Sequence, residues 1–224
     1  MKKLLMVGIA SLLSFAAHAA PITSGTTITL GALTFSNFTC NDNGTGGAGG
    51  SCAGLEVAAF GNGSGIEISG GLTAFTDPGA SGTPALQDIL ISYRVASTGA
   101  AFSSIGLGFN GTFEGNSRAE VSEFVYADVA RTQLLDSARV RVSSLSQTVF
   151  DTLTFSPVFV AYVVKDILLE AGRPGGFASI SSVTQVFTPG TPIEVPEPSS
   201  LAILGMGLLA LGAARRRAAA NKAA

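Results

Sequence analysis

Glu114, Glu120, Glu123 and Asp128 form the densest run of carboxylates in this chain. Two carboxylates flanking a glycosidic bond are the catalytic equipment of most glycoside hydrolases. Spacing argues against that use here. Glu120 and Glu123 differ by three positions, which on a strand puts them on opposite faces. The run reads as a solvated polar face, with Arg118 and Arg131 at hand as ion-pair partners. Histidine narrows the chemistry further. His18 is the only one in the chain, and it lies in a segment expected to be removed. That excludes Ser-His-Asp and Cys-His catalysis and histidine-ligated zinc, copper or iron.

Other short patterns reduce to turns. Asn41-Asp42-Asn43-Gly44 is rich in oxygen donors, but it lacks the alternating acidic spacing and distal glutamate of a calcium loop. Turn chemistry explains it. Gly44-x-Gly46-x-x-Gly49 matches a dinucleotide fingerprint literally. That fingerprint must follow a strand and open a helix, and here Cys52 stands where the helix should run. The Asn-x-Ser/Thr triplets at Asn37, Asn43, Asn62 and Asn110 also read as turns. The expectation is a protein with no catalytic residue, no cofactor and no metal.

Cys40 and Cys52 are the only cysteines, with eleven residues between them. An even count in an exported chain points to one disulfide. Closing a loop of this size is worth ~3 kcal/mol in the chain-entropy model.

The elements that would carry these residues are strands. Arg139-Val140-Arg141-Val142 alternates cleanly. Ile89, Ile91, Tyr93 and Val95 alternate with Asp88, Ser92 and Arg94. Val121, Val125 and Ala127 share a face opposite Phe124 and Tyr126. Val158–Leu169 is a longer apolar run, and Ile28–Phe38, Leu55–Phe60, Ile66–Ser69, Ala101–Phe109 and Phe177–Phe187 complete the series. Gly, Pro, Asn or Ser bounds each run. Eight to ten short strands without a helical period predict an all-β, antiparallel β-sandwich. No fixed-period repeat supports a β-helix.

The two ends of the chain read differently. Lys2 and Lys3 precede the apolar stretch Leu4 to Phe15, and Ala17-His18-Ala19 is a small-residue cleavage site. Residues 1–19 therefore read as a secretory signal peptide. At the other end, residues 188–198 are proline-dense and predict an extended, semi-rigid linker. Leu201 to Ala214 carries no charge. As a helix it would be ~21 Å long, short of a ~30 Å bilayer core. Ser199 and Ser200 extend it, so residues 199–214 are expected to form one short transmembrane helix. Arg215, Arg216 and Arg217 follow at once, and the positive-inside rule puts residues 215–224 in the cytoplasm.

Val195-Pro196-Glu197-Pro198, the Leu/Gly/Ala-rich span and the arginine cluster, in that order at the C-terminus, resemble the PEP-CTERM sorting signal of Gram-negative bacteria. The resemblance implies recognition by exosortase, an integral-membrane enzyme. Val195, Pro196, Glu197 and Pro198 would be the recognition motif, and Arg215, Arg216 and Arg217 the basic stop. It implies export across the inner membrane by the export machinery, a transient anchor, and a final place at the cell surface or outside the cell. Such proteins come from organisms that make extracellular polysaccharide.

Residues 20–187 remain as the ectodomain. Between Pro21 and Glu194 the chain has fourteen acidic and seven basic residues, a net charge of about −7. That argues against nucleic acid as a partner. The expected function is a non-enzymatic surface or extracellular-matrix protein associated with exopolysaccharide. A carbohydrate- or surface-binding module and a carboxylate glycosidase are the alternatives. Ice binding would need a regular Thr-x-Thr array, which only Thr27-Ile28-Thr29 and Thr152-Leu153-Thr154 approach. The absence of tryptophan tells against sugar platforms.

Overall fold

The computed structural model describes residues 19–45, 48–61, 64–79, 83–172 and 174–189. The chain divides after Gly190, and every described residue lies in the first unit. Most of the signal-peptide segment, most of the linker, the membrane span and the basic tail lie outside the described residues. Among the described residues no helix is long and apolar enough to cross a membrane.

The elements run β1 (Ala20–Pro21), β2 (Ile28–Leu30), β3 (Leu33–Asp42), β4 (Ala48–Gly49), a 3-10 turn (Cys52–Gly54), β5 (Glu56–Phe60), β6 (Gly65–Phe75) and β7 (Ala85–Ser97). They continue as β8 (Phe102–Glu114), β9 (Arg118–Tyr126), β10 (Leu134–Ser143), β11 (Ser146–Thr148), β12 (Phe150–Val158), β13 (Val160–Ala171) and β14 (Phe177–Pro189). One sheet has the order β1-β5-β6-β14-β8-β12, with β4 also beside β6; the other has the order β11-β10-β9-β13-β7-β3-β2. Each strand pair is antiparallel. The protein is an antiparallel β-sandwich.

The fourteen strands among the described residues exceed the eight to ten expected. Strands of two or three residues (β1, β2, β4 and β11) are too short to show a period. The run Ile28–Phe38 is broken by Gly31, whose φ of 58° makes the turn between β2 and β3. Val158 closes β12 rather than opening β13, and Phe159 stands between them, 57% exposed. β14 reaches Pro189, two residues into the stretch read as linker.

Inward positions of the two sheets interdigitate, as period-two alternation requires. Phe35 of β3 meets Phe187 of β14 edge-to-face at 5.2 Å, and Phe187 meets Phe102 of β8 at 5.6 Å. Edge-to-face rings of this kind add ~0.5–1.5 kcal/mol to their burial. Gly70 and Gly71, with φ of 146° and 65°, make a bulge in β6 where Ile180↔Leu72 pairing gives way to Ser182↔Ser69. A Cβ on Gly70 would come within 2.4 Å of the Gly54 carbonyl oxygen.

Two aspartates join the sheets along one side. Asp136 accepts the Thr154 N–H at 2.7 Å, and Asp151 accepts the Arg139 N–H at 3.2 Å. These N–H groups belong to the flank of β10 and the edge strand β12, where no ladder partner stands. Pro157, within the irregular stretch between Thr154 and Val158 of β12, has no N–H to offer. An edge treated this way resists pairing with another chain.

The Cys40–Cys52 disulfide is formed, with Cα atoms 5.7 Å apart. The loop it closes is partly ordered. Thr45 exchanges backbone hydrogen bonds with Leu86 at 2.6 and 3.0 Å, and β4 pairs with β6. Asn41 and Asp42 close β3, paired with Leu90 and Ile89, so the expected turn begins only after them; there Asp42 accepts the Gly44 N–H at 3.0 Å and the Gln87 side-chain amide at 2.9 Å. Gly49 lies in a strand and Cys52–Gly54 is a single 3-10 turn, which leaves no helix for a dinucleotide fingerprint to open.

The core also holds charge. Glu123 and Lys165, both 0% exposed, form an ion pair between adjacent strands β9 and β13, where they are direct cross-strand partners. Nearby in the core, the Tyr93 hydroxyl donates to the Gln185 side-chain carbonyl across the sheets. Burial pushes the Lys165 ammonium pKa down, and the Glu123 carboxylate opposes that shift. Burial, and then the Glu123 charge, pushes the Tyr93 phenol well up. The acidic run is thus divided. Glu120 faces out and Glu123 faces in, so the reading of a solvated polar face fails at Glu123.

Two predictions follow from this packing. Glu123→Ala leaves the Lys165 ammonium buried alone and should destabilise the domain by about 3–5 kcal/mol. Glu123→Leu with Lys165→Met should be neutral or stabilising. Urea unfolding of both variants checks the contrast; equal losses would mean the pair is not the source. Separately, replacing Cys40 and Cys52 by serine should lower stability by about 3 kcal/mol. An unchanged urea midpoint would mean that Thr45 and β4 already order the loop.

Candidate functional site

The outward face of the sheet containing β13 concentrates the polar and aromatic side chains. Cross-strand pairing lines up Ser36, Arg94, Tyr162 and Tyr126 in one row and Thr39, Ser92, Val164, Phe124 and Ser137 in the next. Between these rows β3 carries one residue more than β7. Ser36 pairs with Arg94 and Thr39 with Ser92, so Asn37 and Phe38 oppose Tyr93 alone. Such a bulge re-aims side chains and often sits beside a functional site. Phe38 turns inward and stacks on Tyr93 at 5.1 Å. Asn37 takes φ of 57° and is exposed.

A loop from β9 to β10 meets this bulge. Asp128 organises it by accepting the N–H groups of Thr132 and Gln133 at 3.0 and 2.7 Å and the Thr132 hydroxyl at 3.0 Å. These bonds, led by that from Gln133, lower the Asp128 carboxyl pKa. The turn closes with the Arg131 N–H on the Asp128 carbonyl at 3.1 Å, and Arg131 adopts φ of 58°. Its guanidinium Nη2 then donates to Ser92 Oγ at 2.8 Å, and Ser92 Oγ lies 2.6 Å from Thr39 Oγ1.

Bulge and loop enclose a depression of about 110 Å³ whose lining includes Asn37, Thr39, Arg94, Val129, Arg131 and Tyr162. Among the described residues, Asn37 and Arg131 are the non-glycine residues with positive φ, and both line it. Left-handed backbone at a long side chain costs energy and gathers at binding sites. The volume is small beside the ~300–1,000 Å³ of pockets that engulf a ligand. It suits one substituent of a larger molecule lying along the sheet. Among the described residues, an apolar hollow of about 200 Å³ by Leu30, Phe102 and Phe187 has no charged lining. A wider polar one by Arg118 and Arg141 has its guanidiniums already opposite Glu170 and Glu120.

Farther along the same face lies a mixed charge cluster. Glu120 receives Arg139 and Arg141, each at 3.4 Å. Burial, then the neighbouring Asp88 and Glu120 charges, raises the Asp166 carboxyl pKa, and Arg139 opposes this. Asp88 and Asp166 are diagonal neighbours across β7 and β13, where Asp166 pairs with Leu90 and Asp88 with Leu168. No group of acidic, cysteine or histidine residues suited to a metal ion occurs among the described residues. On the opposite sheet Thr152 pairs with Gly106 and Thr154 with Ser104, so no threonine ladder runs across the strands.

Of the sites expected from sequence, the disulfide is the one the described residues contain in full. Ala19 is exposed just ahead of β1. Ala17, Val195–Pro198 and Arg215–Arg217 lie outside the described residues. The depression was missed, because its side chains come from β3, β7, β13 and a loop. The signal available was Arg94, an arginine on the polar side of an alternating strand.

The PEP-CTERM protein-sorting motif matches residues 194–217. Such a tail marks an exported protein of a Gram-negative bacterium that is transiently anchored. No curated protein matches the chain. Among solved structures, the enzymatically active domain of bacteriophage CBA120 tailspike protein 4 is 15% identical, with TM-score 0.34, over 68% of this chain and 20% of that one. TmCBM61, solved with β-1,4-galactotriose, is 12% identical with TM-score 0.30, over 63% of this chain and 87% of that one. A CBM4 structure is 13% identical with TM-score 0.30, over 75% of this chain and 99% of that one. The chain thus spans a fifth of the tailspike domain, and at these TM-scores the likenesses carry no argument.

Asp166→Asn tests the charge cluster. The folded-state pKa of Asp166 is raised, so the fold penalises its ionised form. Wild-type stability therefore falls as pH rises from the unfolded value of ~3.9 toward the folded one. Asparagine removes that penalty. The variant should match wild type at pH 3 and melt about 1–2 °C higher at pH 7, by calorimetry; a constant offset would assign the effect to packing.

Proposed function

We propose that the sorting motif at residues 194–217 delivers a non-enzymatic β-sandwich to the cell surface or extracellular matrix, where it associates with polysaccharide. The motif carries this reading. In it, residues 1–19 leave as a signal peptide after Ala19, residues 20–187, extended by β14 to Pro189, form the working domain, and the rest of residues 188–198 forms an accessible linker. Exosortase recognises Val195–Pro198 while residues 199–214 span the inner membrane. Arg215–Arg217 hold residues 215–224 in the cytoplasm. In this reading the density of proline favours an extended linker, which would present Pro-Glu-Pro to the enzyme in an accessible, non-helical form.

The face bearing the depression supports the binding part. It offers a tyrosine, two guanidiniums and hydroxyl groups on a rigid sheet, with space for one substituent and none for an enclosed substrate. The interrupted threonine rows speak against ice.

Intact mass of the protein recovered from its native host tests the sorting. A chain ending near residues 195–200 and enriched in the matrix fraction is the expected result. A mass running through Ala224 would make the tail a permanent anchor and overturn the processing step.

A further inference from the structure

Two positive groups at the depression lack a counter-charge. Among the described basic residues, Arg118, Arg139, Arg141 and Lys165 each meet a carboxylate. Arg94 and Arg131 meet none, and both line the same depression. Arg131 is held in place, by its bond to Ser92 and by a loop built on Asp128. Arg94 stands between Ser36 and Tyr162 in the sheet. A single guanidinium fork receives a planar carboxylate bidentately, and here a held Arg131 stands with Arg94 and hydroxyl groups around one depression.

The charge of the surroundings sharpens this. The ectodomain sequence, residues 20–187, is net negative by about six, from thirteen acidic and seven basic residues. Away from the depression the domain therefore repels a polyanion, within a screening length of ~8 Å at physiological salt. Attraction is local to this spot, and the cavity of about 110 Å³ admits one substituent. We propose that the Arg94–Arg131 depression is a subsite for the carboxylate of one sugar unit in an acidic polysaccharide, with Tyr162 and Asn37 flanking the unit. The assignment rests on the reading that this domain binds polysaccharide, and it names the class of polymer.

The full chain in detergent, probed by affinity electrophoresis, tests it. The probes are polygalacturonate, the same polymer after carboxyl reduction to a neutral galactan, and dextran sulfate. Polygalacturonate should retard the protein. Carboxyl reduction should weaken retardation at least about tenfold, as should Arg94→Gln or Arg131→Gln, each removing a charge-assisted bond. Lysine at either position should not restore it. Arg118→Gln, on an arginine already paired with Glu170, should leave binding unchanged. Melting temperature verifies that each variant folds, and Tyr162→Ala supplies a charge-neutral variant of the same site that should also bind more weakly.

Equal binding of the acidic and reduced polymers would leave polysaccharide binding standing and overturn the carboxylate subsite. Retardation by dextran sulfate that survives both glutamine substitutions would overturn it as general polyanion attraction. No retardation by any polymer would overturn both readings.

Discussion

The pairing register of β13 is the constraint on which both faces of its sheet depend. β13 makes twelve residue pairs with β7 and nine with β9. A slip of one residue would turn Lys165 outward and drive Tyr162 and Asp166 into the core. It would also strand Glu123, which is 0% exposed. A buried charge without its partner costs several kcal/mol, a large part of a domain's ~5–15 kcal/mol total. The ion pair therefore contributes more to choosing the register than to deepening the well. The row that sets Tyr162 beside Arg94 is the outward counterpart of that same choice.

The depression arises from two local departures from regular structure rather than from the sheet itself. An extra residue in β3 turns Asn37 out and Phe38 in. A seven-residue connection between β9 and β10, tied by Asp128, carries Arg131 back over the sheet. Each departure is anchored by something buried or multiply bonded: Phe38 against Tyr93, and Asp128 against two N–H groups and a hydroxyl. Positive φ at Asn37 is tolerable for asparagine, whereas at Arg131 it persists because the loop closes around it. A side chain held this way has little freedom left to lose.

Much of the fold was legible because alternation is a local property. Arg139-Val140-Arg141-Val142 lies in β10 with both valines buried and both arginines toward solvent, as its pattern requires. β12 was not read as a strand, because Thr152-Leu153-Thr154 drew attention as a threonine pattern while Leu153 and Phe155 were its core-facing residues. Glu123 was misread for a related reason. Its inward direction follows from the same alternation as Val121 and Val125, but nothing nearby in sequence announces the partner forty-two residues on. Lys165 was the hint, as the only lysine between the terminal segments, set in an apolar strand. The depression was illegible because its side chains meet only after β3, β7 and β13 pair. Disulfide formation was legible, since two cysteines permit one connection.

The position of β14 bears on mechanics. It is the last described strand, and it runs through the interior of its sheet, paired with β6 on one side and β8 on the other. A pull applied to the chain beyond Pro189 is therefore met by two ladders loaded lengthwise. Their hydrogen bonds must yield together in shear, whereas an edge strand would peel away one bond at a time. A domain that gripped a polymer while its C-terminal side was restrained would carry tension through its best-buttressed strand.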